Sequence, residues 1–292
     1  MDNPMILVTG AAGKTGKAVI KALIARGAAV RAFIRNPLHH AGLEAMAVDD
    51  VVIGEMGDPH VLSQTMHNVE AVYHICPNVS PHEVAFGKAM IDAATDAGVQ
   101  HFVYHSVLHP QIEAMPHHWN KMRVEELLFS AKLDVTILQP TAYMQNSLAE
   151  WHRMVSDGIY RVPYPIETRL SLVDLDDVAQ AAATVLTGAG HVGATYELVG
   201  TAPMNQIEIA ATFGHVLQKD IRAEAESIEA WSDRVRKAGM DTHQRETLIK
   251  MFEAYARDDL KGNPNVLGWL LGRPPTSVAD FAARFASDPY TK

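Results

Sequence analysis

The stretch Met5-Ile6-Leu7-Val8-Thr9-Gly10-Ala11-Ala12-Gly13-Lys14-Thr15-Gly16 decides the fold of this chain. Its first five residues form a largely apolar run that predicts a buried strand. Three glycines follow, and residues 14–26 carry apolar side chains at helical spacing until Gly27 ends the pattern. A strand, a glycine-rich turn and a helix in this order predict a dinucleotide-binding turn, because N–H groups at a helix N-terminus can hold a pyrophosphate where no Cβ intervenes.

This turn has two other interpretations. Gly13-Lys14-Thr15 resembles the end of the phosphate-binding loop of nucleotide hydrolases, but that loop needs a glycine five residues before Gly13, where this chain has Val8. The sequence therefore excludes that loop. A purely structural strand-to-helix turn stays open as the second interpretation.

Outward from this turn, five more apolar runs alternate with amphipathic stretches. Strands that alternate with helices predict βαβ units, and right-handed crossovers favour a doubly wound, mostly parallel α/β sheet of the Rossmann type. The later predicted strands are 30–34, 51–53, 71–75, 101–105 and 135–139, with helices at 81–97 and 119–131.

The second half of the chain is less regular and predicts a smaller α/β region. We expect an alanine-rich helix at 177–187 with Asp177 as its N-cap, followed by further helices. The expected domains are a dinucleotide-binding Rossmann domain over 1–150 and a substrate or lid region over 151–292, packed on the strand ends. The other elements expected in this half are a strand at 195–199, helices at 206–217 and 228–260 with a break at Gly239, and a last helix begun by Ser277 and Asp280.

Composition excludes several classes of function. The net charge is −9, which argues against nucleic-acid binding because phosphate contacts need clustered Lys and Arg. Apolar runs stay short of the roughly 18 residues of a membrane span, and Met1-Asp2-Asn3-Pro4 lacks the profile of a signal peptide. The single cysteine, Cys76, excludes an internal disulfide and a cysteine-based zinc cluster. We expect a cytoplasmic protein.

The residue after the second predicted strand indicates which dinucleotide binds. A carboxylate there would bind the 2′-hydroxyl of NAD, but this chain has Arg35, whose guanidinium suits a 2′-phosphate. Lys14 adds positive charge in the glycine-rich turn. The sequence therefore favours NADP(H), with NAD(H) as the alternative and a solvated, non-binding Arg35 as the interpretation that would remove this preference.

Several segments together resemble one known family. In their order and spacing the chain is similar, over nearly its whole length, to the NmrA-like family of atypical short-chain dehydrogenase/reductase relatives with an NAD(P)-binding Rossmann domain. The glycine spacing, GxxGxxG, is part of this resemblance. The other segments are Phe102-Val103-Tyr104-His105-Ser106, Leu138-Gln139-Pro140, Tyr143-Met144-Gln145-Asn146, Leu172-Val173-Asp174, Asp177-Val178-Ala179 and Gly272-Arg273-Pro274-Pro275-Thr276-Ser277.

The usual catalytic pair of the wider superfamily is missing. That pair is Tyr-x-x-x-Lys, and none of the eight tyrosines has a lysine four residues later. The matching place is His117-His118-Trp119-Asn120-Lys121, with histidine where tyrosine would stand. The resemblance implies that Lys121 binds the nicotinamide ribose, and His117 or Lys121 could assist as an acid. A surface histidine is an equal alternative for His117.

The expected cofactor site follows the carboxyl ends of the strands, where ligands of open sheets lie. Relatives carry a Gly-Asp pair after the third strand, from which Glu55 departs; Cys76 is expected to pack there rather than react. The substrate residues are His105, Tyr143 and Trp151, with core packing as an equal alternative for Tyr143 and Trp151. The cofactor residues are Gly10, Ala12, Gly13, Lys14, Thr15, Gly16, Arg35, Glu55, Met56, Ile75, Cys76, Pro77, Ser106, Lys121, Pro140 and Thr141.

These observations predict a function. We expect an NAD(P)H-dependent oxidoreductase, preferring NADPH, that transfers hydride to a small aromatic or quinone-like acceptor. The alternative is a non-catalytic NADP(H)-binding redox sensor that acts through a protein partner. A third possibility is a reductase of a biosynthetic intermediate such as an isoflavonoid or lignan-type compound, in which a lone lysine is the implied acid/base. A homodimer is compatible with each of these. No metal is expected, because the histidines of residues 101–118 lack carboxylate or cysteine partners.

Overall fold

The computed structural model describes residues 5–287. None of its helices is long and apolar enough to cross a membrane. The strands are β1 (Met5–Val8), β2 (Ala29–Ile34), β3 (Asp50–Ile53), β4 (Val69–His74), β5 (His101–His105), β6 (Val135–Pro140), β7 (Ala142–Tyr143), β8 (Ile159–Val162), β9 (Leu172–Val173), β10 (Thr195–Leu198) and β11 (Arg222–Ala225). The helices are α1 (Lys14–Ile24), α2 (His40–Glu44), α3 (Pro59–Thr65), α4 (Glu83–Ala97), α5 (Pro116–Ser130), α6 (Trp151–Asp157), α7 (Leu175–Thr187), α8 (Gln206–Leu217), α9 (Ile228–Lys237), α10 (Thr242–Asp258), α11 (Asn265–Leu271) and α12 (Val278–Ala286), with 3-10 turns at Pro37–His39 and Met144–Glu150.

Seven strands form one sheet in the order β10-β6-β5-β4-β1-β2-β3. The neighbours from β6 across to β3 pair in parallel, as in the register that sets Leu7 beside Arg31 of β2 and Val72 of β4. Parallel strands joined by helical crossovers confirm the predicted Rossmann-type α/β fold. The strand order reverses between β1 and β4, and ligands of such sheets bind outside the carboxyl ends at that switch point.

The core on one face of the sheet explains why these segments form strands and helices. Strand residues such as Leu7, Val72 and Phe102 pack against the apolar sides of α3, α4 and α5. Each of these side chains is fully buried, which is worth about 2 kcal/mol apiece relative to exposure. The apolar residues of the helices recur every 3.6 residues because one side of each helix faces this core. The strands are continuous apolar runs because a parallel sheet is covered on both faces.

The residues divide into two compact units. One contains the described chain up to Glu113, together with His117–Gln139 and Val178–Tyr196. The other contains Ala114–Pro116, Pro140–Asp177 and the described residues from Glu197 onward. The cofactor and substrate roles expected for 1–150 and 151–292 stay predictions.

The second unit has its own small sheets and core. Strand β8 pairs in parallel with β11, and β7 pairs in parallel with β9. Trp151 is buried, with its ring 6.2 Å from that of Phe213 and 6.4 Å from that of Phe285. These rings place helices α6, α8 and α12 around one aromatic cluster, so Trp151 packs within this core.

Two fully buried carboxylates anchor the C-terminal part of this unit at the start of α7. Asp177 accepts hydrogen bonds from Nη2 of Arg273 and from the backbone N–H of Thr276, both at 2.6 Å. Asp174 accepts one from Nη2 of Arg284 at 2.7 Å and one from the backbone N–H of Asp176 at 3.2 Å. The prediction that Asp177 caps this helix is therefore wrong. The helix begins two residues earlier, and Asp174 occupies the place just before it because its carboxylate reaches the first turn.

Candidate functional site

The glycine-rich turn after β1 is built by two glycines that the chain's own packing requires. Gly10 has φ +58, and a Cβ there would lie 2.8 Å from Cγ2 of Ile75 and 3.0 Å from its carbonyl oxygen. A Cβ on Gly16 would lie 2.4 Å from the carbonyl oxygen of Gly10. Both positions therefore need glycine because backbone approaches backbone.

Gly13 lies between them and has a different reason to be glycine. Its φ of −75 suits any residue, and it is exposed at the N-terminus of α1. No side chain caps this helix, and its first turn holds no acidic residue. The first N–H groups of a helix have no intrahelical partner, so this end presents donors and positive dipole to an anion. Lys14 is exposed beside it, whereas Thr15 is buried.

Arg35 follows the carboxyl end of β2 and is exposed. Within residues 5–287 its guanidinium has no hydrogen bond or ion pair. Arg31 on the same strand contrasts with it, since that side chain binds Asp50 at 2.6 Å and two backbone carbonyls. After β3, Glu55 is exposed while Met56 is buried in the core. The guanidinium of Arg35 is therefore available at the carboxyl end of β2, and its charge and shape suit the 2′-phosphate of NADP(H).

A threonine ties the two strands of the switch point together. The hydroxyl of Thr9 donates to the carbonyl oxygen of Ile75 at 3.0 Å and accepts from its N–H at 2.9 Å. Cys76 is buried beside this link, and burial together with the Glu83 carboxylate raises the pKa of its thiol. That placement agrees with the expected packing role of Cys76, because a raised pKa removes thiolate character. Pro77 is exposed.

Lys121 lies on α5 and reaches the carboxyl end of β5. Its Nζ donates to Oε1 of Glu83 at 3.0 Å and to the carbonyl oxygen of His105 at 2.9 Å, and it lies 5.2 Å from the centroid of the Tyr104 ring. Oε1 of Glu83 also accepts from the Tyr104 hydroxyl at 2.9 Å. An ammonium has three donors, so one N–H of Lys121 has no hydrogen-bond partner in the part of the chain that the structure describes.

Ser106, at the end of β5, faces a second buried carboxylate. Its hydroxyl donates to Oε1 of Glu125, and Nε2 of Gln139 donates to both oxygens of that carboxylate at 2.9 and 3.1 Å. Burial raises the pKa of Glu125, against the effect of these hydrogen bonds. With its proton engaged, the Ser106 hydroxyl keeps lone pairs that can accept a hydrogen bond from a ligand.

Sequence reasoning missed both Glu83 and Glu125. Glu125 stands four residues after Lys121 on the same helix, and this spacing places both side chains on one face. That signal could have identified Glu125. Glu83 begins α4 and is 38 residues from Lys121, and an acidic residue in a first turn reads as an ordinary helix start.

The histidines near Lys121 are neutral at physiological pH. Burial, with smaller effects from His118 and Lys121, lowers the pKa of His117 to about 3. Burial likewise lowers the pKa of His118 to about 4 and that of His105 well below the ordinary value. His105 also forms a 2.5 Å hydrogen bond with the Tyr73 hydroxyl. An imidazolium acid at position 117, expected from the ordinary titration of histidine, therefore has no support in this environment.

The remaining predicted residues lie in the second unit. Thr141 is buried and its hydroxyl donates to the carbonyl oxygen of Ser171 at 2.8 Å. Pro140 is buried, and Tyr143 is half-buried in β7. Their cofactor and substrate roles, and that of Trp151, stay predictions. Residues 5–287 contain no group of three or more His, Cys, Asp or Glu that could hold a metal ion.

Comparison with known protein families finds a match that covers most of the chain. The family model described as "NmrA-like family" matches residues 2–269.

The chain belongs to the NmrA-like family.

This confirms the resemblance expected from the sequence motifs. The chain is similar to the NAD(P)H azoreductase of Xenophilus azovorans, with 27% identity over 97% of this chain and 98% of the relative. Quinone oxidoreductase 2 of Escherichia coli K12 is 25% identical over 94% of this chain and 96% of its own length. A crystal structure of an NADPH-dependent quinone oxidoreductase from Escherichia coli matches with a TM-score of 0.84, at 25% identity, over 97% of this chain and 100% of that one.

Proposed function

We propose that this NmrA-like chain is an NADPH-dependent reductase of small quinone-like or aromatic acceptors. The observation that carries the proposal is that two features able to bind an anion follow the carboxyl ends of neighbouring strands, β1 and β2. They are the uncapped N-terminus of α1 at Gly13 and the unengaged guanidinium of Arg35. Relatives named as an NAD(P)H azoreductase and a quinone oxidoreductase agree with the predicted class, an NAD(P)H-dependent oxidoreductase.

Different residues of the chain bind different groups of NADPH. The N–H groups at the start of α1 hold the pyrophosphate, and Arg35 holds the 2′-phosphate. The remaining N–H of Lys121 binds a hydroxyl of the nicotinamide ribose. Bound NADPH supplies a hydride to the acceptor. Ser106 offers an acceptor oxygen at the end of β5, where the nicotinamide end is expected.

The protonation states near Lys121 favour a particular chemistry for the acceptor. His117 and His105 are neutral because burial lowers the pKa of each, and burial together with the Glu83 carboxylate raises the pKa of Tyr104 well above its ordinary value. Of the four side chains Tyr104, His105, His117 and Lys121, the one that carries a positive charge is therefore Lys121. Acceptors that take hydride without needing a strong acid, such as quinones and cationic dyes, suit this arrangement.

Titration calorimetry with NADPH and then NADH, followed by addition of a quinone, tests the proposal. Tight NADPH binding and oxidation of NADPH on adding quinone is the expected result. Tight binding without oxidation across quinones, azo compounds and cationic dyes would favour the redox sensor instead. Absence of binding by either nucleotide would refute the dinucleotide site altogether. Lys121→Ala should weaken NADPH binding or slow turnover, and neither effect would mean that Lys121 lies outside the site.

The single buried cysteine suits a reducing compartment, and we place the protein in the cytoplasm on that ground. A homodimer, and a protein partner in the case of a sensor, stay predictions.

A further inference from the structure

The ion pair between Glu83 and Lys121 is unusual for its burial. Glu83 is 4% exposed, and the Lys121 side chain is 14% exposed. Most other ion pairs in the described chain lie at the surface, such as Lys88 with Asp92 on the same helix α4, where both side chains are more than half exposed. Taking two charges out of water is unfavourable, and the attraction between them often does not offset this cost. Stability alone therefore does not explain this pair.

The contacts of the pair fix the direction of the Lys121 ammonium. One N–H points to Oε1 of Glu83 and a second to the carbonyl oxygen of His105, and the three N–H bonds of an ammonium are held in a tetrahedral arrangement. Two fixed directions determine the third. The Tyr104 hydroxyl donates to the same Oε1 and so holds the carboxylate in place.

From this geometry we propose that Glu83 is a positioning residue for the nicotinamide ribose. Its carboxylate orients Lys121, so that the remaining N–H is aimed at a ribose hydroxyl before NADPH arrives. This inference rests on the proposed function, since it gives Glu83 a role in binding the cofactor of that reductase. Glu83 does not itself contact the acceptor in this scheme, and the proton on Lys121 stays on Lys121 during binding.

The position of Glu83 supports a local role in this network. It is the first residue of α4, and its side chain connects the start of that helix to β5 through Tyr104 and to α5 through Lys121. A neutral side chain of the same shape would leave the buried ammonium without its counter-charge. The ammonium would then give up its fixed direction, because a buried unpaired charge turns toward water.

The test is a double-mutant cycle on NADPH affinity. Glu83→Gln should raise the Kd for NADPH about tenfold, which corresponds to about 1.4 kcal/mol. In a Lys121→Met background the same change should have no further effect, because the residue through which Glu83 acts is gone. Asp92→Asn is the matched control: it makes the equivalent change from carboxylate to amide on the exposed ion pair of α4 and should leave the Kd unchanged. With a quinone acceptor, Glu83→Gln should raise KM for NADPH more than it lowers kcat.

Glu83→Asp keeps the charge but shortens the side chain by one methylene, and it replaces Glu83→Gln if the latter does not fold; its Kd should also rise. A Kd equal to wild type in a folded variant overturns the proposal. So does an equal loss with and without Lys121, because Glu83 would then act through another group. If wild type binds NADPH but Lys121→Met binds it equally well, this inference fails while the reductase function stands. If wild type binds no NADPH, the proposed function itself fails.

Discussion

Two substitutions in the glycine-rich turn should have different effects: Gly16→Ala should lower stability, and Gly13→Ala should weaken NADPH binding. At Gly16, an added Cβ would lie 2.4 Å from the carbonyl oxygen of Gly10 and 2.8 Å from Cα of Ala11. Both contacts are to backbone, so no side chain can rotate away, and such overpacking costs about 3 kcal/mol. Alanine gains about 1 kcal/mol over glycine inside a helix. The net loss in unfolding free energy is therefore about 2 kcal/mol.

The same change at Gly13 has the opposite consequence. Its Cβ would approach the carbonyl oxygen of Gly10 at 3.2 Å and otherwise stand in solvent, and its backbone angles suit alanine. The unfolding free energy should change by less than about 0.5 kcal/mol, as for an ordinary surface substitution. The Cβ would nevertheless occupy the space in front of the α1 N–H groups, so the Kd for NADPH should rise at least about tenfold, or about 1.4 kcal/mol.

Thermal unfolding and calorimetric titration with NADPH measure the two effects separately. Gly16→Ala should lower Tm by about 6 °C, since 1 kcal/mol corresponds to about 3 °C for a chain of this size. Gly13→Ala should keep the wild-type Tm and lose affinity. Wild-type affinity in Gly13→Ala would show that the phosphate does not lie at this residue. A wild-type Tm in Gly16→Ala would refute the close backbone approach.

Three further predictions concern the cofactor, pH and the C-terminal part. Arg35→Ala should raise the Kd for NADPH about thirtyfold, or about 2 kcal/mol, and leave NADH binding unchanged, because only the 2′-phosphate loses its partner; equal losses in the two titrations would contradict this. Burial lowers the pKa of His74 from 6.5 to about 4, so unfolded chains bind protons that the folded protein does not; the Tm should fall as pH decreases from 6.5 toward 4, and a flat profile there would count against it. Asp177→Asn should lower the free energy of unfolding, measured in urea, by about 2 kcal/mol, because it removes the buried charge that pairs with Arg273. The loss is smaller than for a fully buried pair because the Arg273 side chain is partly exposed to solvent. An unchanged urea midpoint would show that this ion pair does not contribute to stability.

The glycine-rich turn and the parallel sheet were predictable because their signals are local. The apolar run of β1, the glycines at 10, 13 and 16 and the helical spacing after them lie within about two dozen residues and decide one another's conformation. The helix predicted at 206–217 has the same bounds in the structure, where Asn205 and Glu208 cap it through reciprocal hydrogen bonds.

The parts that the sequence did not reveal depend on distant contacts. Glu83 gains its role only from Lys121, which is 38 residues away, and no periodicity records that distance. Strands β8 and β11 are four residues each and pair across some 60 residues, so neither carries enough alternation to be recognised alone. His117 was expected to titrate near neutrality because burial, which decides its pKa, is invisible in the sequence.

The carboxylates at the start of α7 also determine when the second unit can fold during protein synthesis. Asp174 and Asp177 leave the ribosome about a hundred residues before Arg284 and Arg273, the cations that neutralise them. An ionised carboxylate does not enter an apolar interior without a partner, so the first turn of α7 stays hydrated until Arg273 and Arg284 have left the ribosome. The second unit therefore completes its folding only after the segment that carries these two arginines has been synthesised.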